Sequence, residues 1–205
     1  METANNESSD GGDVPSAGSE DRVALVTGAA SGIGRETALR FGSDGVRVSC
    51  CDLDEAGAQE TATTIRDGGG EAFVIGGDVS DEVDAKAAVA TTLEHFGAID
   101  VLANVAGTGH FRRTGEESLE DWNRILGVNL TGTFLMCQNA LPELVARRGT
   151  IVNVASIAGL SAHAYAAAYS SSKGGVVALT KTLAAEFATR GVRVNAVCPG
   201  GVMTP

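Results

Sequence analysis

Apolar residues in this chain fall in short runs separated by longer stretches of mixed character. Val23-Ala24-Leu25-Val26 and Ile151-Val152-Asn153-Val154 are nearly continuous apolar runs of strand length. Strands covered on both faces read this way, whereas a half-solvated strand alternates apolar with polar. The pattern predicts strands over residues 23–27, 46–51, 71–75, 101–103, 150–155 and 192–198. Helical stretches lie between them, over residues 32–42, 54–67 and 81–96, a long region over 119–147, and 165–190. Breakers punctuate the series, with Gly68-Gly69-Gly70 the plainest. Alternation of strand and helix predicts an α/β fold, a doubly wound and mostly parallel sheet with helices on both faces. Right-handed crossovers put ligand sites in such a sheet beyond the carboxyl ends of its strands.

Composition narrows the domain. Residues 1–20 are rich in Ser, Gly and Asn, carry five acids (Glu2, Glu7, Asp10, Asp13, Glu20) and have no Lys or Arg. They lack the apolar side chains that would offset ordering entropy, so a disordered acidic tail is expected there. Residues 21–205 then form one domain, long enough to bury roughly 70% of its unfolded surface. The formal charge is −11 for the whole chain and −6 without those five acids. Neither value fits a nucleic-acid binder, which needs clustered Lys and Arg. The pairs Arg112-Arg113 and Arg147-Arg148 read as solvated surface. The start is acidic, with no apolar signal region after it, and no run reaches the ~18 apolar residues of a membrane span. A cytoplasmic protein without membrane or nucleic-acid partners is expected. Cys50, Cys51, Cys137 and Cys198 show no C-x-x-C spacing and no partner histidines, so reduced, buried thiols are expected and no metal site.

The chemistry sits at two places. Gly28, Gly32 and Gly34 lie between the first strand and the first helix, within Thr27-Gly28-Ala29-Ala30-Ser31-Gly32-Ile33-Gly34. Glycine permits positive φ and lets backbone approach a pyrophosphate, and a helix N-terminus offers unpaired N–H groups. The spacing is G-x-x-x-G-x-G rather than G-x-G-x-x-G, and the same glycines could serve turn geometry alone. Asp52 ends the second strand, 18 residues after Gly34. It could accept hydrogen bonds from an adenosine ribose or cap the next helix. As a ribose ligand it would repel a 2′-phosphate, since two unit charges ~4 Å apart interact by roughly 4 kcal/mol at a surface-like dielectric. NAD is thus favoured over NADP, with Arg35 the nearby cation that could offset the repulsion. Asp78-Val79 follows the third strand and could meet an adenine amino group or cap a helix. Asn104-Val105-Ala106-Gly107 follows the fourth and either leaves room for a ligand or simply turns.

The second place is Tyr169-Ser170-Ser171-Ser172-Lys173, with Ser156 thirteen residues before the tyrosine. Tyr169 and Lys173 stand at i, i+4 on one helix face. A neighbouring ammonium stabilises a phenolate, making tyrosine a usable proton donor or acceptor. Ser156, just past a strand end, could hold a substrate oxygen as charge develops. Taken alone the Tyr/Lys pair is also a common surface pair. With the glycine loop, in this order, it points to a nicotinamide-dependent oxidoreductase.

These motifs jointly resemble the short-chain dehydrogenase/reductase family, over about residues 22–205. The resemblance rests on Thr27–Gly34, Asp78, Asn104–Gly107, Val128-Asn129-Leu130, Ser156, Tyr169/Lys173 and Pro199-Gly200. It implies a Rossmann fold, with Tyr169 as general acid/base and Lys173 tuning it and binding the nicotinamide ribose. Ser156 would orient the substrate and Asn129 would anchor a water in a proton relay; the residues alone do not single out Asn129. The implied cofactor contacts are Gly28, Ser31, Gly32, Ile33, Gly34, Asp52, Asp78, Val79, Asn104, Ala106, Gly107, Tyr169, Lys173, Pro199, Gly200, Val202 and Thr204. Asn104-Val105-Ala106-Gly107 departs from the family's Asn-Asn-Ala-Gly by one polar group. Family members continue for several tens of residues past the position of Pro205. A C-terminally truncated product is therefore expected, lacking a further strand and a substrate lid and exposing 192–198 as a sheet edge.

The remaining histidines and aromatics read as ordinary. His110 and His163 are loop residues that could line a pocket, His95 ends a helix, and Trp122 packs. A homo-oligomer, dimer or tetramer, is expected through the helices of 119–147 and 165–190. The expected reaction is hydride transfer between NAD(H) and a secondary alcohol or ketone. The alternatives are an NADPH-dependent reductase of 3-oxoacyl thioesters and a catalytically silent dinucleotide-binding or oligomerisation module.

Overall fold

The computed structural model describes residues 21–202. The expectations for residues 1–20 and for Thr204 lie outside that range. Six parallel strands form one sheet in the order β3-β2-β1-β4-β5-β6. They are β1 (Val23–Thr27), β2 (Arg47–Asp52), β3 (Ala72–Gly76), β4 (Val101–Asn104), β5 (Thr150–Val154) and β6 (Arg193–Val197). The helices are α1 (Gly32–Ser43), α2 (Glu55–Asp67), α3 (Glu82–Phe96), α4 (Leu119–Leu126), α5 (Thr133–Arg147) and α6 (Ala167–Phe187). The strand order reverses between β1 and β4, the switch point where doubly wound sheets open a crevice for ligands.

The continuous apolar runs have the expected cause. All five residues of β1 are buried, and they alternate between two cores. Leu25 joins Ile99, Leu102, Met136, Leu144 and Ile151 on one side. Ala24 and Val26 join Ala38, Val48, Ala62 and Ile65 on the other. On the far side of the switch point, β6 is the sheet edge among the described residues, with Val194 buried and Val197 half-exposed.

Three sequence expectations are corrected. The region 119–147 is not one helix: residues Gly127–Gly132 form a π-helical turn between α4 and α5. The last helix starts at Ala167, not 165, because Tyr165 has φ of 65° and its carbonyl accepts from the Arg112 N–H, pinning the loop before it. The strand over 150–155 stops at Val154, because Ala155 and Ser156 turn into a short 3-10 segment at Ile157–Gly159. His95 does more than end α3: its ring stacks on Phe73 with centroids 4.2 Å apart.

Candidate active site

The carboxyl ends of the strands open onto one cleft of about 900 Å³. That volume is at the upper end for small-molecule sites. Gly28, Ser31, Gly32, Ile33, Gly34, Asp52, Asp78, Val79, Ala106 and Gly107 line one part of it. Ser156, Tyr169, Lys173, Pro199, Gly200 and Val202 line the other. The glycine turn and Ser156, more than 120 residues apart in the chain, thus face one space, which the crossover topology brings about.

The glycine turn is tight. Gly28 has φ of 70°, and a Cβ there would sit 2.8 Å from Ala106 backbone. A Cβ on Gly34 would lie 1.9 Å from the Gly28 carbonyl oxygen. Thr27 ties the turn to the β4 loop, its Oγ1 accepting from the Val105 and Ala106 N–H groups. The first turn of α1 contains no acid, and Ser31 at its N-cap makes no side-chain capping bond. By contrast Asp54, Asp81 and Ser118 cap α2, α3 and α4. The N–H groups at the start of α1 therefore face the cleft without a protein acceptor, as an anion site requires. These residues fit the pyrophosphate of a dinucleotide.

Asp52 does not cap α2; Asp54 does. Instead the Asp52 carboxylate accepts from the Ala30 N–H at 2.8 Å and the Asp54 N–H at 2.9 Å. Each oxygen keeps a lone pair, so the group is held in place yet can still accept. Arg35 is absent from the cleft lining and pairs with Glu60 at 3.5 Å. Asp78 is likewise not a cap: Asp81 takes that place, and Asp78 accepts from the N–H and Oγ of Ser80.

At the other end, the 3-10 segment after β5 lies on α6. A Cβ on Gly159 would meet the Lys173 carbonyl carbon at 2.6 Å, so only glycine permits this approach. Ser156 is buried and its Oγ accepts from the Ala158 N–H. Tyr169 packs against the β4–α4 loop, where a Cβ on Gly109 would come within 2.6 Å of its ring. Lys173 is 4% exposed, with Nζ donating to the Val154 carbonyl oxygen at 2.7 Å and lying 5.8 Å from the Tyr169 ring centroid. Burial pushes its amine down to about 8, with Cys198 acting in the opposite direction.

Two expected site residues are not on the cleft wall. Asn104 is buried in the sheet, its Nδ2 donating to Asn153 Oδ1 at 2.9 Å and Cys137 Sγ at 3.3 Å. Asn129 sits in the π-helical turn, fully buried. Its Oδ1 accepts from the Thr108 N–H, and its Nδ2 donates to the Thr108 carbonyl and to Ser172 Oγ. Its side chain therefore fastens the β4–α4 loop to α6 at the residue next to Lys173. Sequence reasoning missed Thr108, Gly109, Phe111, Arg124 and Ile157, which also line the cleft. Their signal is only their place after the strand ends. His110 is not an idle loop residue, since its Nε2 lies 2.8 Å from Glu117 Oε1. Burial pushes the Cys50, Cys51 and Cys137 thiols up to about 12, which keeps them protonated and inert.

Comparison with known proteins places the chain in a family. The short chain dehydrogenase family profile matches residues 22–205. The chain is 42% identical over 185 residues to the 2,5-dichloro-2,5-cyclohexadiene-1,4-diol dehydrogenase of Sphingobium indicum, covering 90% of this chain and 74% of the relative. It is 43% identical over 189 residues to the 2-(R)-hydroxypropyl-CoM dehydrogenase of Xanthobacter autotrophicus, covering 90% and 76%. A crystal structure from Sinorhizobium meliloti 1021, assigned as a short-chain alcohol dehydrogenase, superposes with a TM-score of 0.86 at 33% identity, covering 89% of this chain and 73% of that one. The chain is an oxidoreductase of the short-chain dehydrogenase/reductase family.

Proposed function

We propose that this protein transfers hydride between NAD(H) and a secondary alcohol or ketone, with Tyr169 as general acid/base. One observation carries the reading: Tyr169, Lys173 and Ser156 share a single cleft with an uncapped helix N-terminus and a positioned Asp52. When bound, the nicotinamide accepts or supplies the hydride. Gly28, Gly32, Gly34 and the start of α1 would hold its pyrophosphate, Asp52 its adenosine ribose, and Lys173 its nicotinamide ribose.

The chain's own residues handle the proton. In reduction, the Tyr169 hydroxyl donates to the developing alkoxide; in oxidation, its phenolate takes the alcohol proton. Lys173, when charged, stabilises that phenolate. Ser156 Oγ donates to the same substrate oxygen and fixes its position. Asn129 holds the Thr108 backbone against α6 and keeps the wall beside Lys173 in place.

Asp52, with Arg35 paired to Glu60 and outside the cleft lining, favours NAD over NADP, which also weighs against an NADPH-dependent 3-oxoacyl thioester reductase. The exposed face of α5, with Phe134 42% exposed, supports self-association through α4–α5 and α6.

Calorimetric titration with NADH and NADPH in parallel tests the cofactor reading. NADH binds at least tenfold more tightly, and Asp52→Ala narrows that ratio. Equal binding of both, or an unchanged ratio in the variant, removes Asp52 from the account. Tyr169→Phe keeps NADH binding and loses turnover of secondary alcohols by a factor of about 10²–10⁴, the usual worth of a positioned proton donor. Retained turnover excludes Tyr169.

A further inference from the structure

The substrate end of the cleft offers hydrogen-bond acceptors where a binding site for a simple ketone needs none. His110 and His163 both line it. The His110 Nε2 lies 2.8 and 3.1 Å from the two oxygens of Glu117, whose side chain is only 7% exposed. A carboxylate only accepts, so Nε2 carries the hydrogen. The carboxylate thereby takes the Nε2–H, and Nδ1 is the ring nitrogen left for a ligand, an acceptor in that tautomer. Among the described residues no partner is bonded to Nδ1. His163 shows the same polarity: its Nδ1 lies 3.2 Å from the Ser161 carbonyl oxygen, which leaves Nε2 as the acceptor.

The position is close to the chemistry. Gly109 packs directly on the Tyr169 ring, and His110 is the next residue along. Arg124, also on this wall, donates to Thr108 Oγ1 at 3.1 Å and to Asp121 Oδ1 at 3.3 Å. Phe111 and Ile157 supply apolar surface around it.

We infer that His110, oriented by Glu117, anchors a second hydroxyl group of the substrate, so that the substrate class is a diol or polyol rather than a monofunctional alcohol. This rests on the proposed alcohol–ketone chemistry at Tyr169 and specifies its substrate. A second hydroxyl donates to Nδ1 while the first is held by Tyr169 and Ser156.

The test is steady-state oxidation with NAD of four probes: butane-2,3-diol, cyclohexane-1,2-diol, butan-2-ol and cyclohexanol. The wild-type chain is expected to prefer each diol over its mono-alcohol by at least tenfold in kcat/KM. His110→Leu is expected to lower kcat/KM for the diols at least tenfold, mainly through KM, and so to remove that preference. The single change leaves the Glu117 carboxylate unpaired, so the double variant His110→Leu/Glu117→Leu is measured beside it. His110→Asn, which restores an acceptor, is expected to recover part of the preference. Oxidation of both classes without a diol preference overturns the inference and leaves the reaction standing. So does a His110→Leu variant that loses both classes equally while its circular dichroism stays native. Oxidation of none of the four by a chain that binds NADH overturns the alcohol–ketone reading, and this inference with it.

Discussion

Lys173 is buried to 4% exposure and its ammonium is bonded to a carbonyl, not to a carboxylate. Desolvation disfavours its charged form, and the amine falls from 10.5 to about 8. The unfolded chain therefore keeps a proton between pH 8 and 10.5 that the folded chain has given up. Stability gained from this group rises with pH through that window and is lost as pH falls toward 8. The span corresponds to about 3 kcal/mol. Lys173→Met removes it, so the variant's stability relative to wild type should decline by about that amount between pH 7.5 and 10.5. Urea unfolding at both values measures this; a pH-independent difference would mean that Lys173 is not desolvated. The same residue is needed to stabilise a phenolate, so its cost in stability is tied to its use in the site.

At the scale of elements, the start of α1 matters most. Its helix N-terminus lacks a side-chain cap, and its glycines allow β1, the turn and α1 to fold back on one another. Gly34 stands where a methyl group would strike the Gly28 carbonyl at 1.9 Å. Relief requires backbone movement, since neither partner is a flexible side chain. Gly34→Ala should therefore cost about 2 kcal/mol and lower Tm by about 4–8 °C. NADH affinity should fall with it, because the displaced N–H groups form the proposed phosphate site. Unchanged Tm with normal NADH binding would show that the turn has room to adjust. The π-helical turn between α4 and α5 is the second element of interest. Such turns are uncommon and often mark functional positions. Here it buries Asn129 between the β4–α4 loop and α6, which an unbroken α-helix over the same residues would have presented differently.

At the scale of the whole molecule, acids and bases are segregated along the cleft. Asp52 and Asp78 line the part beside the glycine turn, while Lys173, Arg124, His110 and His163 line the part beside Tyr169. The chain as a whole carries −11, and such a net charge opposes self-association. Association is therefore expected to rest on apolar contact. Phe134, 42% exposed on α5, is the largest apolar side chain open on that helix. Light scattering should give a mass that is a multiple of the chain's, and Phe134→Asp should reduce it. A wild-type monomer, or a variant of unchanged mass, would refute association through this face.

The strand–helix alternation, the parallel sheet and the glycine turn were legible in the sequence because each has a local cause. Buried strands need continuous apolar runs, as in Val23–Thr27, and a tight strand-to-helix turn needs glycine where φ is positive or a Cβ would collide. The Tyr169/Lys173 pair was legible because helical spacing alone sets it on one face. The role of Asn129 was not, because a π-helical turn has no distinctive composition and its partner Thr108 lies 21 residues away. Nor was the burial of Asn104 against Cys137 and Asn153, which depends on which side of the strand meets α5. The pairing of His110 with Glu117 depends on a loop folding back on itself. Local chemistry determined what kinds of groups this chain possesses and which elements carry them. Only tertiary packing decided which groups face the cleft, which are spent on holding loops in place, and which are left with a free lone pair for a ligand, because those outcomes depend on contacts between residues far apart in the chain.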